Sequence, residues 1–198
     1  MNTRIITSFL ALGLAQLLPA QSALLGKNLF PEGTFEVFAE SKLVPIGWSF
    51  PDPNDRPWNA GFRAELVKSE AGGKELRVTN PDFGHTSVKA TVDLPPKIDR
   101  LRINYRILGK KIVLGPDDPS GNGAGIFVRF YDKSGKGLRG ASWVGGMVKA
   151  TNAEWKDMEQ VFNVPADAIR IDFEVIFRSA EGEVRVDDVE LVPVLMNE

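Results

Sequence analysis

Apolar and polar residues alternate with a period of two along several stretches of this chain. The clearest examples are residues 88–94, 101–107, 126–131 and 171–178. Successive side chains of a β-strand point to opposite faces, so each stretch predicts a strand with one buried face. After residue 24, no long stretch keeps the period of 3.6 residues that an amphipathic helix requires. This pattern restricts the fold to antiparallel sheets packed face to face.

Short runs with turn composition separate the predicted strands. They lie at residues 70–73, 94–96, 133–137 and 180–182 and are rich in glycine, proline and small polar residues. Many short strands at this spacing predict an all-β fold, a two-sheet antiparallel β-sandwich of the jelly-roll kind. The sequence shows no linker and no internal repeat, so we expect residues 24–195 to form one domain.

The charge balance of the chain argues against a nucleic-acid partner. There are 24 Lys and Arg residues against 26 Asp and Glu residues, a formal net charge of -2, and no basic run. Binding to nucleic acid or to an anionic membrane surface requires a concentrated positive patch. Hydrophobic residues make up 43% of the chain, which is ordinary for a globular protein and argues against disorder.

The first residues have the pattern of an export signal. Arg4 precedes an apolar run at residues 5–18, and the small residues Ala20 and Ser22 follow it. This run is shorter than the roughly 20 residues that span a bilayer, so it predicts a signal peptide at residues 1–22 and a secreted or periplasmic protein. An uncleaved anchor is the alternative. We expect no membrane span after cleavage.

The chain contains no cysteine. Disulfides, thiolate metal sites and the lipid attachment of a lipoprotein signal are therefore excluded. An exported domain of this kind depends on its core and on any oxygen-ligated ion for stability. Together with the export signal, this composition suggests a bacterial protein.

Both ends of the predicted domain carry carboxylates within short apolar segments that we interpret as strands. Glu36 closes the segment 28–36, and Asp187 lies in the segment 182–191. Carboxylates gathered from distant parts of a chain repel one another unless a cation or a basic side chain lies between them. We therefore expect the first and last strands to meet around a hard cation or a basic group.

These segments also carry a family resemblance, which covers the whole chain after the signal. The run Asn28-Leu29-Phe30-Pro31-Glu32-Gly33-Thr34-Phe35-Glu36 and the following Pro45-Ile46-Gly47-Trp48 resemble the opening of carbohydrate-binding modules of families 4, 9, 16 and 22. Residues 73–78 resemble the strand that follows in these modules. Trp155 with residues 161–168 resembles their penultimate strand and turn, and residues 186–191 resemble their closing strand. The resemblance implies a galactose-binding-domain-like jelly roll that binds a polysaccharide or another glycan.

The same resemblance implies a structural calcium ion between the two ends of the domain. By position, its ligands would be the side chains of Glu36 and Asp187 and a backbone oxygen near Thr34. A third carboxylate would come from the loop expected at residues 65–70. Calcium takes six to eight oxygen ligands in irregular cages, which suits such a set. The alternative is that Glu36 and Asp187 pair with Arg or Lys.

Sugar sites combine exposed aromatic rings with polar groups that form hydrogen bonds. Trp58, in the proline-rich segment 49–59, and Trp143, in a glycine-flanked segment expected to be flexible, are the candidate ring platforms. We assign Trp48 and Trp155 to packing. On the polar side of two predicted strands, Arg129, Tyr131, Glu174 and Arg178 would form a charged and aromatic ligand face if those strands share a sheet. The alternative is a solvated face with cross-strand ion pairs.

No residue has a recognisable catalytic pattern. His85 is the single histidine and lies in a predicted loop, without the partners of a nucleophilic triad. A lyase on this scaffold would need a tyrosine or histidine base with basic neighbours, and Tyr105 falls on the predicted core face. The leading interpretation is a non-catalytic carbohydrate-binding domain. A small polysaccharide-active enzyme, lyase or glycosidase, and a structural or adhesion domain are the alternatives.

Overall fold

The computed structural model describes residues 26–30, 33–35, 47–49, 61–70, 72–116, 122–138, 143–152 and 154–194. Every regular element within these ranges is a β-strand. The strands are β1 (Trp48–Ser49), β2 (Arg63–Lys68), β3 (Lys74–Asn80), β4 (Thr86–Asp93), β5 (Arg100–Leu114), β6 (Gly123–Tyr131), β7 (Trp143–Val148), β8 (Lys156–Asn163), β9 (Arg170–Arg178) and β10 (Ala180–Pro193). None of the described segments is a helix long and apolar enough to span a membrane.

The ten strands form two antiparallel sheets of five strands each. The first sheet has the order β1-β4-β9-β6-β7, and the second has the order β2-β3-β10-β5-β8. The expected all-β sandwich of two antiparallel sheets is therefore confirmed. Neighbours in each sheet are mostly distant in sequence, as in β4 beside β9 and β3 beside β10.

The core lies between the two sheets and uses the residues that the alternation predicted. In β4, for example, Val88, Ala90 and Val92 are buried while the residues between them are exposed. An aromatic cluster around Phe173 fills the centre, where the rings of Phe30, Trp48 and Tyr105 meet it edge to face. Trp48 is 7% exposed, which confirms its assignment to packing.

The two ends of the domain meet at β10, as the carboxylate pattern predicted. The backbone N–H of Leu29 donates to the carbonyl of Leu191 at 2.7 Å, and the N–H of Val189 donates to the carbonyl of Gly33 at 3.0 Å. The side-chain oxygen of Asn28 accepts from the N–H of Leu191 at 2.9 Å. The described residues 26–30 and 33–35 form no strand, so the expectation of an opening strand is wrong there.

Three local expectations are corrected by the structure. The turn expected at residues 180–182 is displaced, because β10 already begins at Ala180 and Gly182 lies beside a register shift in that strand at a φ of +131°. The segment containing Trp143, expected to be flexible, is β7. β8 is third from last rather than penultimate, since β9 and β10 follow it.

Candidate functional site

The outward side of the first sheet brings two of the predicted polar strands together. β6 and β9 are antiparallel neighbours, and their register pairs Phe127 with Glu174 and Arg129 with Asp172. In each strand these residues alternate with core residues. The condition for a shared ligand face, that the two strands lie side by side in one sheet, is therefore met.

A buried carboxylate lies at the centre of this face. Asp172 is 1% exposed, although it points away from the core set of β9. Its carboxylate accepts a hydrogen bond from the Thr91 hydroxyl at 2.9 Å. Lys89 Nζ lies 3.4 Å from one carboxylate oxygen and Arg170 Nε lies 3.7 Å from the other. We call these four residues the Asp172 cluster. It ties β4 to β9 across the sheet.

Two aromatic rings of the same face lie under guanidinium groups. The Arg129 guanidinium carbon is 4.8 Å from the centre of the Phe127 ring, and that of Arg170 is 4.5 Å from the centre of the Tyr131 ring. A guanidinium in this position is attracted by the ring π system and loses conformational freedom. The contact leaves the N–H groups of the guanidinium able to donate to a ligand.

Three of the four predicted face residues lie close together. Arg129 has Tyr131 two residues further along β6, and it lies diagonally across the β6–β9 ladder from Glu174. Arg178 pairs with Gly123 at the opposite end of this ladder. Arg178 lies six positions along β9 from Asp172, the partner of Arg129, a distance of about 20 Å. The face is thus elongated along the strands.

Neither candidate tryptophan platform has a described side chain on this face. Trp58 lies outside the described residues. Trp143 is the first residue of β7 and pairs with Val128 of β6.

Sequence reasoning missed the Asp172 cluster. The alternation placed Lys89, Thr91 and Asp172 on polar faces of their own strands, but it gave no sign that β4 and β9 are neighbours. Strand order in a sandwich depends on long connections that leave no local sequence signal. The sequence also gave no sign that Asp172, which points outward from the sheet, would be buried.

The two candidate catalytic bases lie in different environments. His85 is exposed in the connection between β3 and β4, as predicted. Tyr105 is 2% exposed in the core, and burial raises the pKa of its phenol above its usual value. A buried phenol of this kind is a weak candidate for proton abstraction.

A second polar surface lies on the outer side of the second sheet, where the chain ends meet. It is a groove of about 490 Å³ whose lining includes Asn28, Thr34, Asn104 and Glu190. Arg106 lies within it, 3.2 Å from Asp188 and 3.6 Å from Asp157 through different nitrogens. Its guanidinium also lies 4.9 Å from the Trp155 ring centre, so Trp155 packs against a charged side chain while remaining half-buried. Carboxylates outnumber cations along this groove.

Of the residues expected to hold calcium, two are described. Thr34 is exposed on the wall of the groove, and Asp187 is half-buried in β10. Burial raises the pKa of Asp187 to about 6, and the nearby carboxylates of Asp188 and Glu75 act in the same direction. Such a carboxylate gains from a neighbouring cation, so its chemistry fits a hard metal ion.

The described residues do not supply the further carboxylate ligands that a calcium site at Asp187 would need. Glu36 is outside them, and they contain no cluster of three or more histidine or acidic side chains able to hold a metal ion. The stretch expected to supply a third carboxylate is mostly strand β2, and Glu65 in it binds Arg77 at 2.6 Å. The carboxylates that raise the pKa of Asp187 are instead those of Asp188 and of Glu75, which is 3% exposed.

The Asp187 carboxyl should make the stability of the metal-free protein depend on pH. The pKa is about 6 in the folded protein against 3.8 for an unperturbed aspartate, so folding favours the protonated form. This contribution is complete below about pH 3.8 and is lost as the pH rises through about 6. In chelator, Asp187→Asn should therefore become more stable relative to the wild type as the pH rises from 4 to 7. Parallel curves of melting temperature against pH would contradict this.

Comparison with solved structures places the fold. A family 4 carbohydrate-binding module superposes with a TM-score of 0.56 and 14% identity, over 82% of this chain and 98% of that one. A family 61 module in complex with β-1,4-galactotriose gives a TM-score of 0.52 and 18% identity, over 85% and 99% of the two chains. The fold is that of carbohydrate-binding modules. Both matches cover nearly the whole length of the solved modules, which agrees with the jelly-roll fold expected from the sequence.

The carbohydrate-binding-module fold also occurs as part of larger proteins. The enzymatically active domain of tailspike protein 4 from bacteriophage CBA120 matches 84% of this chain with a TM-score of 0.56 and 12% identity. The match spans 21% of that tailspike chain. At the level of sequence, no family model and no curated protein matches.

Proposed function

We propose that this protein is an exported, non-catalytic carbohydrate-binding domain whose ligand lies along the outward side of the first sheet. The observation that supports it most is the side-by-side arrangement of β6 and β9. It puts Phe127, Arg129 and Tyr131 next to Glu174 and the Asp172 cluster on one elongated surface. Elongated polar faces with aromatic rings suit chain-like ligands rich in hydroxyl groups.

This face offers both hydrogen-bond donors and hydrogen-bond acceptors to the hydroxyl groups of a sugar. Arg129, Arg170 and Lys89 offer only hydrogen-bond donors, whereas the carboxylate of Glu174 offers only acceptors. A sugar hydroxyl donates and accepts at once, so adjacent groups of opposite kind can bind it at two points. The rings of Phe127 and Tyr131 contribute apolar surface beneath.

The comparisons support the same ligand class. Modules with this fold include one solved with β-1,4-galactotriose, although at 18% identity its specificity does not carry over. We propose that residues 1–22 are a removed signal, that residues 24–195 are one folded unit, and that the ligand is met outside the cytoplasm.

Affinity electrophoresis of the chain without residues 1–22 tests this function. Migration through gels containing different soluble polysaccharides should be retarded by at least one of them, while a non-binding reference protein migrates freely. Uniform lack of retardation across neutral and acidic polysaccharides would contradict carbohydrate binding. A rise in ultraviolet absorbance during incubation with a polysaccharide would indicate unsaturated sugar products and would contradict the non-catalytic assignment.

We also propose a structural calcium ion between the ends of the domain, held by Asp187, Glu36 and a backbone oxygen near Thr34. The half-buried Asp187, repelled by Asp188 and Glu75, supports this proposal. A ligand at 100 times its dissociation constant stabilises a fold by roughly 2.7 kcal/mol, which is several degrees of melting temperature.

Chelation should therefore lower the melting temperature of the wild type by several degrees, and added calcium should restore it. Asp187→Asn should lose this calcium response. Glu65→Gln is the matched control, because Glu65 is occupied by Arg77, and it should respond to calcium as the wild type does. Identical melting curves of the wild type with calcium and with chelator would refute the site.

A further inference from the structure

The outward side of the first sheet carries more positive than negative charge. Around Asp172 lie three cations: Lys89 and Arg170 by direct contact, and Arg129 as its partner in the β6–β9 register. In the strand register Lys89 also lies opposite Glu174, and Arg170 lies opposite Asp93. The outward positions of β4, β9 and β6 thus hold four cations against three carboxylates, an excess of one: Lys89, Arg129, Arg170 and Arg178 against Asp93, Asp172 and Glu174.

These cations are available to a ligand. The Lys89 side chain is 46% exposed and the Arg170 side chain is 36% exposed, and Arg129 is exposed as well. Within the described part of the chain, no carboxylate lies within ion-pair distance of Arg129, which stacks on the Phe127 ring. On the second sheet, by contrast, Arg77 and Arg185 each contact a carboxylate directly.

The cations are also held in place before any ligand arrives. Lys89 and Arg170 both lie against the buried carboxylate of Asp172, and the Phe127 and Tyr131 rings lie under the two guanidinium groups. Fixed donors lose little conformational entropy on binding. A guanidinium group can donate two parallel N–H···O hydrogen bonds to a carboxylate. A guanidinium that is fixed in this way therefore favours a ligand with a planar anionic group.

We propose that the glycan bound by this face is a polysaccharide of uronic acids, with its carboxylates beside Arg129 and Lys89. This inference rests on the proposed carbohydrate-binding function and names its ligand class. Charge distribution also assigns the ligand to the first sheet, because the groove of the second sheet has more carboxylates than cations and repels a polyanion.

The test uses uronate polysaccharides, alginate and polygalacturonate among them, each paired with its carboxyl-reduced form. The two members of a pair share their linkages and differ in charge. We expect at least one uronate polymer to bind at least tenfold more tightly than its reduced partner at low salt, with the difference shrinking as salt rises. Arg129→Gln should lose most of that preference. Arg102→Gln, on the second sheet, should keep it.

The possible outcomes separate this inference from the function on which it rests. Equal affinity for both members of every pair would overturn the uronate assignment and leave carbohydrate binding intact. Binding to no polymer of the panel would overturn both. Tighter binding to a sulfated polysaccharide than to any uronate polymer would also overturn the assignment, since it would favour a tetrahedral anion over a carboxylate.

Discussion

Replacing Arg185 with methionine should lower the free energy of unfolding by about 3–5 kcal/mol, the cost of leaving a buried charge unpaired. Arg185 Nη1 lies 2.5 Å from Glu75 Oε1, and its Nε lies 2.7 Å from Glu183 Oε1. The Glu75 side chain is only 4% exposed. Without Arg185, this carboxylate would stay buried beside Asp187, which already carries like charge.

Chemical denaturation of purified variants measures this loss. The double variant Glu75→Leu with Arg185→Met should recover most of the stability, because it removes both charges together. Arg77→Met is the matched control: its ion pair with Glu65 is 31% and 46% exposed, so we expect a loss below about 1 kcal/mol. A loss for Arg185→Met as small as that of Arg77→Met would contradict a buried, energetically coupled pair.

The second large effect is expected for Gly33→Ala, which should lower the free energy of unfolding by about 3 kcal/mol. This is the upper end of the usual range for adding atoms to a closely packed site. A Cβ atom at Gly33 would lie 1.7 Å from the backbone carbonyl oxygen of Val189. Backbone cannot rotate aside as a flexible side chain can, so the opening segment must separate from β10. The hydrogen bond from Val189 N–H to the Gly33 carbonyl would be lost with it.

Thermal melting tests this substitution against Thr34→Ala. Thr34 is the next residue and is exposed, so its change should stay within about 0.5 kcal/mol. If Gly33→Ala melts like the wild type, the close contact between the two ends of the domain is wrong. Such a result would also remove the geometric basis for an ion shared by these ends.

Where apolar and polar residues alternate, the local pattern was sufficient to predict a strand and its buried face, whereas β2 and β7 were not predicted. The alternation in residues 101–107 predicted the inward set of β5, and Tyr105 is indeed buried there. The end of that strand was not predictable, because β5 continues to Leu114 through Gly109 and two lysines. Pairing with β10 on one side holds this continuation in the sheet despite its weak strand propensity.

The candidate site was only partly accessible from sequence for a different reason. Arg129, Tyr131 and Glu174 could be assigned to polar faces from their own strands. The interactions that organise them, such as Asp172 with Lys89, join residues 83 positions apart. Only the strand order β4-β9-β6 makes them neighbours, and side-chain periodicity does not encode strand order.

Titration calorimetry with a retained polysaccharide tests the central claim most directly, comparing three proteins of equal thermal stability. These are the wild type, the double variant Arg129→Ala with Glu174→Ala on the outward side of the first sheet, and Arg102→Ala on the second sheet. We predict a loss of at least tenfold in affinity for the double variant and none for Arg102→Ala. Full affinity of the double variant, or a comparable loss for Arg102→Ala, would contradict a ligand site on the first sheet.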